Sequence, residues 1–333
     1  MGETIFAGGN WNAIKTMLGK KTEKPIRITE VGPRDGLQNE RGQVSLEAKV
    51  DFINALSATG VSEIEVGALV SPKAVPQMKD TEEVFRQIHR IKGVTYTALV
   101  PNEQGLERAL AAGVDKIAVF TAASNTFNQH NIHATIAESI TRLEPVVARA
   151  KQTGLQVRGY ISTVVLCPYE GRIAPETVLM VMRQLKNIGV EEIALGETLG
   201  KASPHDLRAL LETVCAEWPS ARIALHLHDT YRLAIDNAMM AWEQFGITHF
   251  DGSAGGLGGC PYAPGAPGNV ATEDLVRAFK AHNAPIAVDE KKVVEAAELV
   301  GNELEQPLSS MFGASPHSTM MSPSLTEFCG KGS

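Results

Sequence analysis

The chain contains no apolar run approaching the roughly 18 to 20 residues needed to cross a bilayer. Its first 25 residues have neither the apolar core of a signal peptide nor the arginine-rich, acid-free bias of an organelle presequence. These absences predict a cytoplasmic protein that does not span a membrane, with residues 1–25 as an accessory extension. Only four cysteines occur, Cys167, Cys215, Cys260 and Cys329, and none lies at the short paired spacing of a zinc site or a secreted disulfide framework. They read as free thiols in a reducing compartment. Blocks of one charge are also missing: 31 basic and 38 acidic residues are interspersed, and the net charge of -7 offers no attraction to nucleic acid or to an anionic membrane surface. No G-x-G-x-x-G follows the first strand-like run, and no repeat of about 20 to 50 residues is visible, which argues against a dinucleotide-binding sheet and against a solenoid.

What is present is the balance of a soluble globular protein, 44% hydrophobic and 21% charged, with enough apolar residues for a substantial core. From Ile26 onward, short β-rich runs alternate with longer segments of helical period. The spacing predicts strands over 26–31, 62–67, 94–100, 115–121, 156–163, 191–196, 222–228 and 248–253. Helices are predicted over 46–59, 102–113, 132–153, 175–189, 204–217, 231–246 and 270–282, with Gly60, Gly113, Gly154, Gly189 and Gly246 at or just past their ends. Eight such units over about 255 residues give an α/β fold, a (β/α)₈ TIM barrel. A further helix is predicted over 288–305, so that the catalytic domain covers 26–306, followed by a tail over 307–333 that is either flexible or covering.

Functional groups in such a barrel belong at the C-terminal ends of strands and in the loops that follow. The first strand runs into EVGPRDGLQNE and delivers Glu30, Arg34 and Asp35. The second delivers Glu65, the sixth Glu197, the seventh His226 and His228, and the loop after the eighth Cys260 and Asn269. His226 and His228 are two apart on a strand, so both imidazoles face the same side as a chelating pair; the bland alternative is a satisfied buried pair or a chance surface pair. Closure makes strands 7, 8 and 1 neighbours and brings Asp35 and Asn269 to the two histidines. One carboxylate, one amide oxygen and two imidazoles leave about two octahedral positions open, a set that suits Mg²⁺ or Mn²⁺ and admits Co²⁺ or Zn²⁺. The absence of thiolate ligands argues against structural zinc.

Arg34 either pairs with a neighbouring acid or stabilises an enolate oxygen as charge develops. Glu65 and Glu197 either organise barrel polarity or serve as acid/base or supporting groups. The loop AGGLGGCPYAPGAPGN, Ala254 to Asn269, holds six glycines and three prolines and reads by composition as an irregular surface connection. Against that reading stands Cys260, a thiol near the proposed metal that could move a proton once the loop excludes water. Cys167 in CPYEG has a similar address, while Cys215 and Cys329 read as packing and tail residues. Gln38 contacts substrate or braces its loop, and the spacing gives Glu30 and Asn39 no role.

The stretches EVGPRDGLQNE, LVSPKAVPQM, RGYIST with CPYEG, HLHDT and GGLGGCPYAPGAPGNVATEDLV resemble the motifs of the 3-hydroxy-3-methylglutaryl-CoA lyase family, from around Ile26 to around Val300. The Arg-Asp pair and His-x-His are shared with a wider group of metal-dependent barrel enzymes that includes homocitrate and isopropylmalate synthases. The cysteine-bearing loop is far more specific to the lyase branch. The resemblance implies Asp35, His226, His228 and Asn269 as metal ligands, Arg34 as stabiliser of the thioester enolate, Cys260 as the loop thiol in proton transfer, His226 as proton shuttle and Glu65 as an active-site acid. It implies a dimeric enzyme of leucine degradation that cleaves a tertiary 3-hydroxyacyl-CoA to acetyl-CoA and a keto acid, acetoacetate for 3-hydroxy-3-methylglutaryl-CoA.

Two positions depart from the family pattern. Glu197 stands in GETLG where the family has the aspartate of GDT, and Gly67-Ala68-Leu69-Val70 stands where it has TSFV. The longer acid suits a substrate with a shorter carboxylate arm, such as citramalyl-CoA. The trimmed side chains suit a bulkier 3-substituent on a glutaryl-CoA. Two other readings compete with lyase activity: a synthase running toward condensation, disfavoured by the cysteine loop, and a catalytically silent barrel that binds CoA esters.

Overall fold

The computed structural model describes residues 23–40, 42–260, 263–304 and 309–311, and for 259–260 and 263–267 the backbone alone. Eight parallel strands close into a barrel: β1 (Arg27–Glu30), β2 (Glu63–Ala68), β3 (Thr95–Leu99), β4 (Lys116–Ala122), β5 (Gln156–Ser162), β6 (Glu192–Glu197), β7 (Ile223–Leu227) and β8 (His249–Gly252). Each falls within a residue or two of its predicted run. Neighbours in sequence are neighbours in space, and β8 returns to pair with β1 through Arg27↔His249 and Glu30↔Gly252.

Around the barrel run α1 (Leu46–Ser57), α2 (Thr81–Gln87), α3 (Glu103–Ala112), α4 (Asn125–Ile132), α5 (Ile136–Gln152), α6 (Pro175–Asn187), α7 (Pro204–Cys215), α8 (Ala234–Phe245) and α9 (Thr272–Ala281). The five glycines predicted to stop helices all have positive φ. Local chemistry starts them: α5 opens on a capping box in which Glu138 N donates to Thr135 Oγ1 (3.2 Å) and Thr135 N donates to Glu138 Oε2 (2.7 Å). The additional helix is α10 (Glu290–Leu304), which lies against α1 and buries Val293, Ala296, Ala297 and Val300. Helices α2 and α4 were not among the predicted ones.

Strand residues facing the helices, among them Ile28, Ile64, Ile117, Ile193, Leu225 and Phe250, form the main apolar core. The lumen is built differently. Ala118, Ala194 and Ala224 make a thin middle layer with Tyr160. Below it lies a charged layer in which buried Lys116 Nζ donates to Glu63 Oε2 (2.9 Å) and Glu192 Oε1 (2.7 Å). Buried charges persist only when paired in this way. The expectations for residues 1–22 and for most of the tail lie outside the described residues; Ser309–Met311 return to the barrel, where Ser309 N donates to Gly255 O at 2.9 Å.

Candidate active site

β1 leaves the barrel through a single wide turn over Gly32–Gly36, with Pro33 at its start. Gly32 is required there, because a Cβ would stand 2.7 Å from Glu30 Oε1. The turn swings Arg34 and Asp35 back over the lumen. The Arg34 guanidinium donates through Nε to Glu65 Oε1 and through Nη1 to Asp35 Oδ1. Its fork therefore ties the end of β1 to β2. Glu65 is completed from β5 by Tyr160, whose hydroxyl donates to Oε2 at 3.0 Å, and Arg34 stacks 5.4 Å from the Tyr160 ring centre.

His226 on β7 and His228 just past its end lie together as a period of two predicts, their rings 5.4 Å apart. Asp35, His226 and His228 each present a ligand atom, all within 4.8 Å of one another. Asn269 comes from the far side of the glycine loop, with its amide nitrogen 3.0 Å from Asp35 Oδ2. The donor chemistry fits a divalent ion. Burial would raise the Asp35 carboxyl, but Arg34, the two histidines and Asn269 outweigh it and bring it down to about 2. Burial and neighbouring His226 push His228 down to about 4, so at neutral pH its imidazole is uncharged. Its Nδ1 is buried with no hydrogen-bond partner among the described residues, an orphaned atom of the kind a bound cation satisfies.

The glycine loop departs from its compositional reading as an irregular connection. Its root is a turn held by three carboxylates: Ala254 N donates to Glu30 Oε1 (2.9 Å), Gly255 N to Glu273 Oε1 (3.1 Å) and Gly258 N to Glu40 Oε1 (2.9 Å). Beyond it the backbone forms an antiparallel hairpin of Gly259–Cys260 with Ala263–Pro267. Cys260 thus lies on a hairpin beside Asn269; its side chain is outside the described residues. The other loop thiol has a structural engagement, since buried Cys167 Sγ donates to Ser124 Oγ at 3.1 Å.

Glu30, for which spacing gave no role, also accepts from Thr272 Oγ1 at 2.6 Å. Burial raises its carboxyl from 4.5 to about 8, against the lowering effect of these hydrogen bonds. The sign of the pH effect follows: a raised carboxyl contributes stability that is fully present below the unfolded value and is lost as pH rises toward about 8. Glu30→Gln keeps an acceptor for the backbone N–H groups of Gly32 (2.8 Å) and Ala254 and offers Thr272 a donor. Its melting temperature relative to the wild type should therefore climb between pH 5 and pH 8. A difference that stays flat over that range, followed by circular dichroism, would refute this.

Glu197 ends β6 fully buried, facing the backbone N–H groups of Lys201, Ala202, Gly200 and Leu199, while Oε1 has no partner among the described residues. Burial raises its carboxyl to about 7. It is not part of the Asp35, His226 and His228 group. Gln38 lies half-buried just after the Gly32–Gly36 turn.

The second departure does not widen the site. A Cβ on Gly67 would meet Thr81 Oγ1 at 2.5 Å, so the missing side chain accommodates α2 outside the barrel; Ala68 and Leu69 are buried in the apolar core. The Thr81 hydroxyl cannot yield easily, because it donates to Ala68 O (3.2 Å) and Met78 O (2.9 Å). Gly67→Ala should lower stability by roughly 1–3 kcal/mol through overpacking while leaving substrate preference unchanged. Denaturant melts paired with a substrate panel check both halves.

Sequence reasoning missed Arg158, Tyr160 and Asp251. Asp251 Oδ2 lies 3.2 Å from His226 Nδ1, and Arg158 Nη2 donates to Asp251 Oδ1 at 2.5 Å. The available signal was the same period of two that marked the histidines, applied to Arg158-Gly159-Tyr160.

The family model HMGL-like matches residues 25–300. A protein of Rattus norvegicus named 3-hydroxy-3-methylglutaryl-CoA lyase, cytoplasmic, is 47% identical over 285 residues, covering 86% of this chain and 83% of the relative. A Pseudomonas aeruginosa protein named 3-hydroxy-3-isohexenylglutaryl-CoA/hydroxy-methylglutaryl-CoA lyase is 46% identical over 277 residues, 83% of this chain and 92% of the relative. The crystal structure of the Bacillus subtilis HMG-CoA lyase superposes with a TM-score of 0.86 at 44% identity, covering 89% of this chain and 98% of that one. With the barrel, the site and these likenesses together, the chain belongs to the HMGL-like family.

Proposed function

We propose that the chain is a carbon–carbon lyase that cleaves 3-hydroxy-3-methylglutaryl-CoA to acetyl-CoA and acetoacetate, with residues 26–306 as its catalytic unit. The observation that carries this reading is the Arg34 fork set directly against the Asp35, His226 and His228 ligand group. Those three residues and Asn269 would hold a divalent ion, Mg²⁺ or Mn²⁺, which when bound supplies Lewis acidity to the substrate's hydroxyl and carboxylate oxygens.

His226 takes the proton of the C3 hydroxyl on Nε2, a step in which Asp35, His228 and Asn269 would hold the ion and leave that lone pair free. The O–H electrons form the new ketone, the C2–C3 bond breaks, and its electron pair moves onto the thioester as an enolate. Arg34, kept charged by Glu65 and Asp35, stabilises that oxygen. The Cys260 thiol then protonates C2, giving acetyl-CoA. Glu65 holds the Arg34 fork in place. Glu197, with its unpartnered Oε1 and a carboxyl near neutrality, serves as an acid/base group at the β6 end. Gln38 contacts the substrate from the β1 loop.

The Pseudomonas aeruginosa relative bears a name with a longer 3-substituent, but the Gly67 position does not favour that substrate, since its space is filled by Thr81. Purified protein supplied with Mn²⁺ should release acetyl-CoA from the methylglutaryl ester in preference to citramalyl-CoA and a 3-isohexenyl ester. Release from none of the three would sink the lyase reading. Free CoA from acetyl-CoA plus a 2-oxo acid would mark a synthase, and retained metal without turnover a silent barrel.

A further inference from the structure

His226 and His228 differ in one respect that their shared face conceals: His228 Nδ1 has no hydrogen-bond partner among the described residues, whereas His226 Nδ1 faces Asp251. Asp251 lies opposite His226 in the β7–β8 register and is 2% exposed. Its two oxygens have separate partners, Oδ2 toward the ring and Oδ1 taken by Arg158. Arg158 cannot turn away. Nη1 donates to Thr29 Oγ1 (2.9 Å), Nε lies 3.6 Å from Glu192, and the guanidinium sits 4.9 Å below the Tyr160 ring. A carboxylate paired with arginine only accepts hydrogen bonds, so the proton of the neutral imidazole belongs on Nδ1 and the lone pair on Nε2. That nitrogen lies 3.8 Å from Asp35 Oδ2, inside the ligand group.

We propose that Asp251, clamped by Arg158, is a positioning residue that holds His226 in its Nδ1–H tautomer and keeps the Nε2 lone pair turned to the site. Asp251 is outside the Asp35, His226 and His228 group, yet the work assigned to His226 depends on it. The consequence for metal affinity rests on the metal centre proposed above; the tautomer assignment does not.

The test is nitrogen NMR of the metal-free protein labelled with ¹⁵N-histidine, with His226 assigned by its loss in His226→Gln. Wild type should show His226 protonated on Nδ1. In Asp251→Asn the amide oxygen stays with Arg158 and the NH₂ group turns to the ring, which forces the proton to Nε2. Calorimetric titration with Mn²⁺ should then show affinity lower by about 10–100-fold, and kcat should fall by more than KM rises. Near-ultraviolet circular dichroism and thermal melts establish that this variant folds. Wild-type His226 protonated on Nε2 overturns the proposal whether or not the variant folds, and so does a folded variant that binds Mn²⁺ as the wild type does. Wild type with the Nδ1–H tautomer and no Mn²⁺ binding would instead overturn the metal centre and leave the positioning of His226 standing.

Discussion

Asp35→Ala and His228→Ala should each lose bound divalent ion and turnover together, whereas Cys260→Ala should lose turnover and keep the ion. Asp35 is ionised throughout the neutral range because Arg34 and the two histidines override its burial. His228 is uncharged there for the opposite reason, since burial and His226 disfavour its cation. Both are thus delivered in the form a cation binds, without a proton to expel. Truncating either removes one of three clustered donors and leaves the others facing a gap. Loss of Lewis-acid stabilisation worth several kcal/mol corresponds to a fall in kcat/KM of roughly a thousandfold or more. Cys260 lies on the hairpin beyond the loop's carboxylate-held root, so its removal should leave the ion position intact. Metal content by elemental analysis, set beside kcat at saturating Mn²⁺, separates the cases; equal metal loss in all three variants would refute the division.

Arg34→Gln is the second large effect, and it should appear in kcat with the ion retained. The guanidinium has five N–H donors, of which Nε and Nη1 are engaged by Glu65 and Asp35. The fork is thereby fixed in orientation with donors remaining for an oxyanion. Glutamine can keep one contact to Glu65 but supplies no charge. Loss of a fixed donor at a developing oxyanion costs about 10²–10³ in rate, and more when the donor is charged and water is excluded. KM should change little. A variant in which KM rises while kcat holds would show that Arg34 only binds the substrate and does not act on the enolate.

The sequence made the strands legible because each is a short apolar or β-branched run between turn residues, and barrel closure then decided which loops meet. Asp35 and the two histidines follow from that order and from a period of two. What escaped had weaker or longer-range signals. Helix α2 buries Thr81, Val84 and Phe85 within seven residues, too short for a helical period to show. In α4, Phe127 and Asn128 are the buried positions, so there is no apolar stripe to read. Arg158 and Asp251 sit on β5 and β8, which are not neighbouring strands, 93 residues apart in sequence. Their contact is made across the lumen, and no local pattern encodes which interior residues reach one another. The carboxylates at the root of the glycine loop were invisible for a similar reason: Glu30, Glu40 and Glu273 look like unremarkable acids until β8 returns to β1.

That return also determines when the site comes into being during folding. Asp35 follows β1 and Asn269 follows β8, and the two meet only across the seam where the first and last strands pair. Thr29 to His249 and Glu30 to Thr272 span the same seam. A chain that has assembled strands β1 to β6 but not the last two has no ligand group, so its affinity for the ion is that of scattered side chains. A divalent cation held at this group therefore binds the closed barrel and not its open precursors, and by mass action it stabilises the final step of assembly.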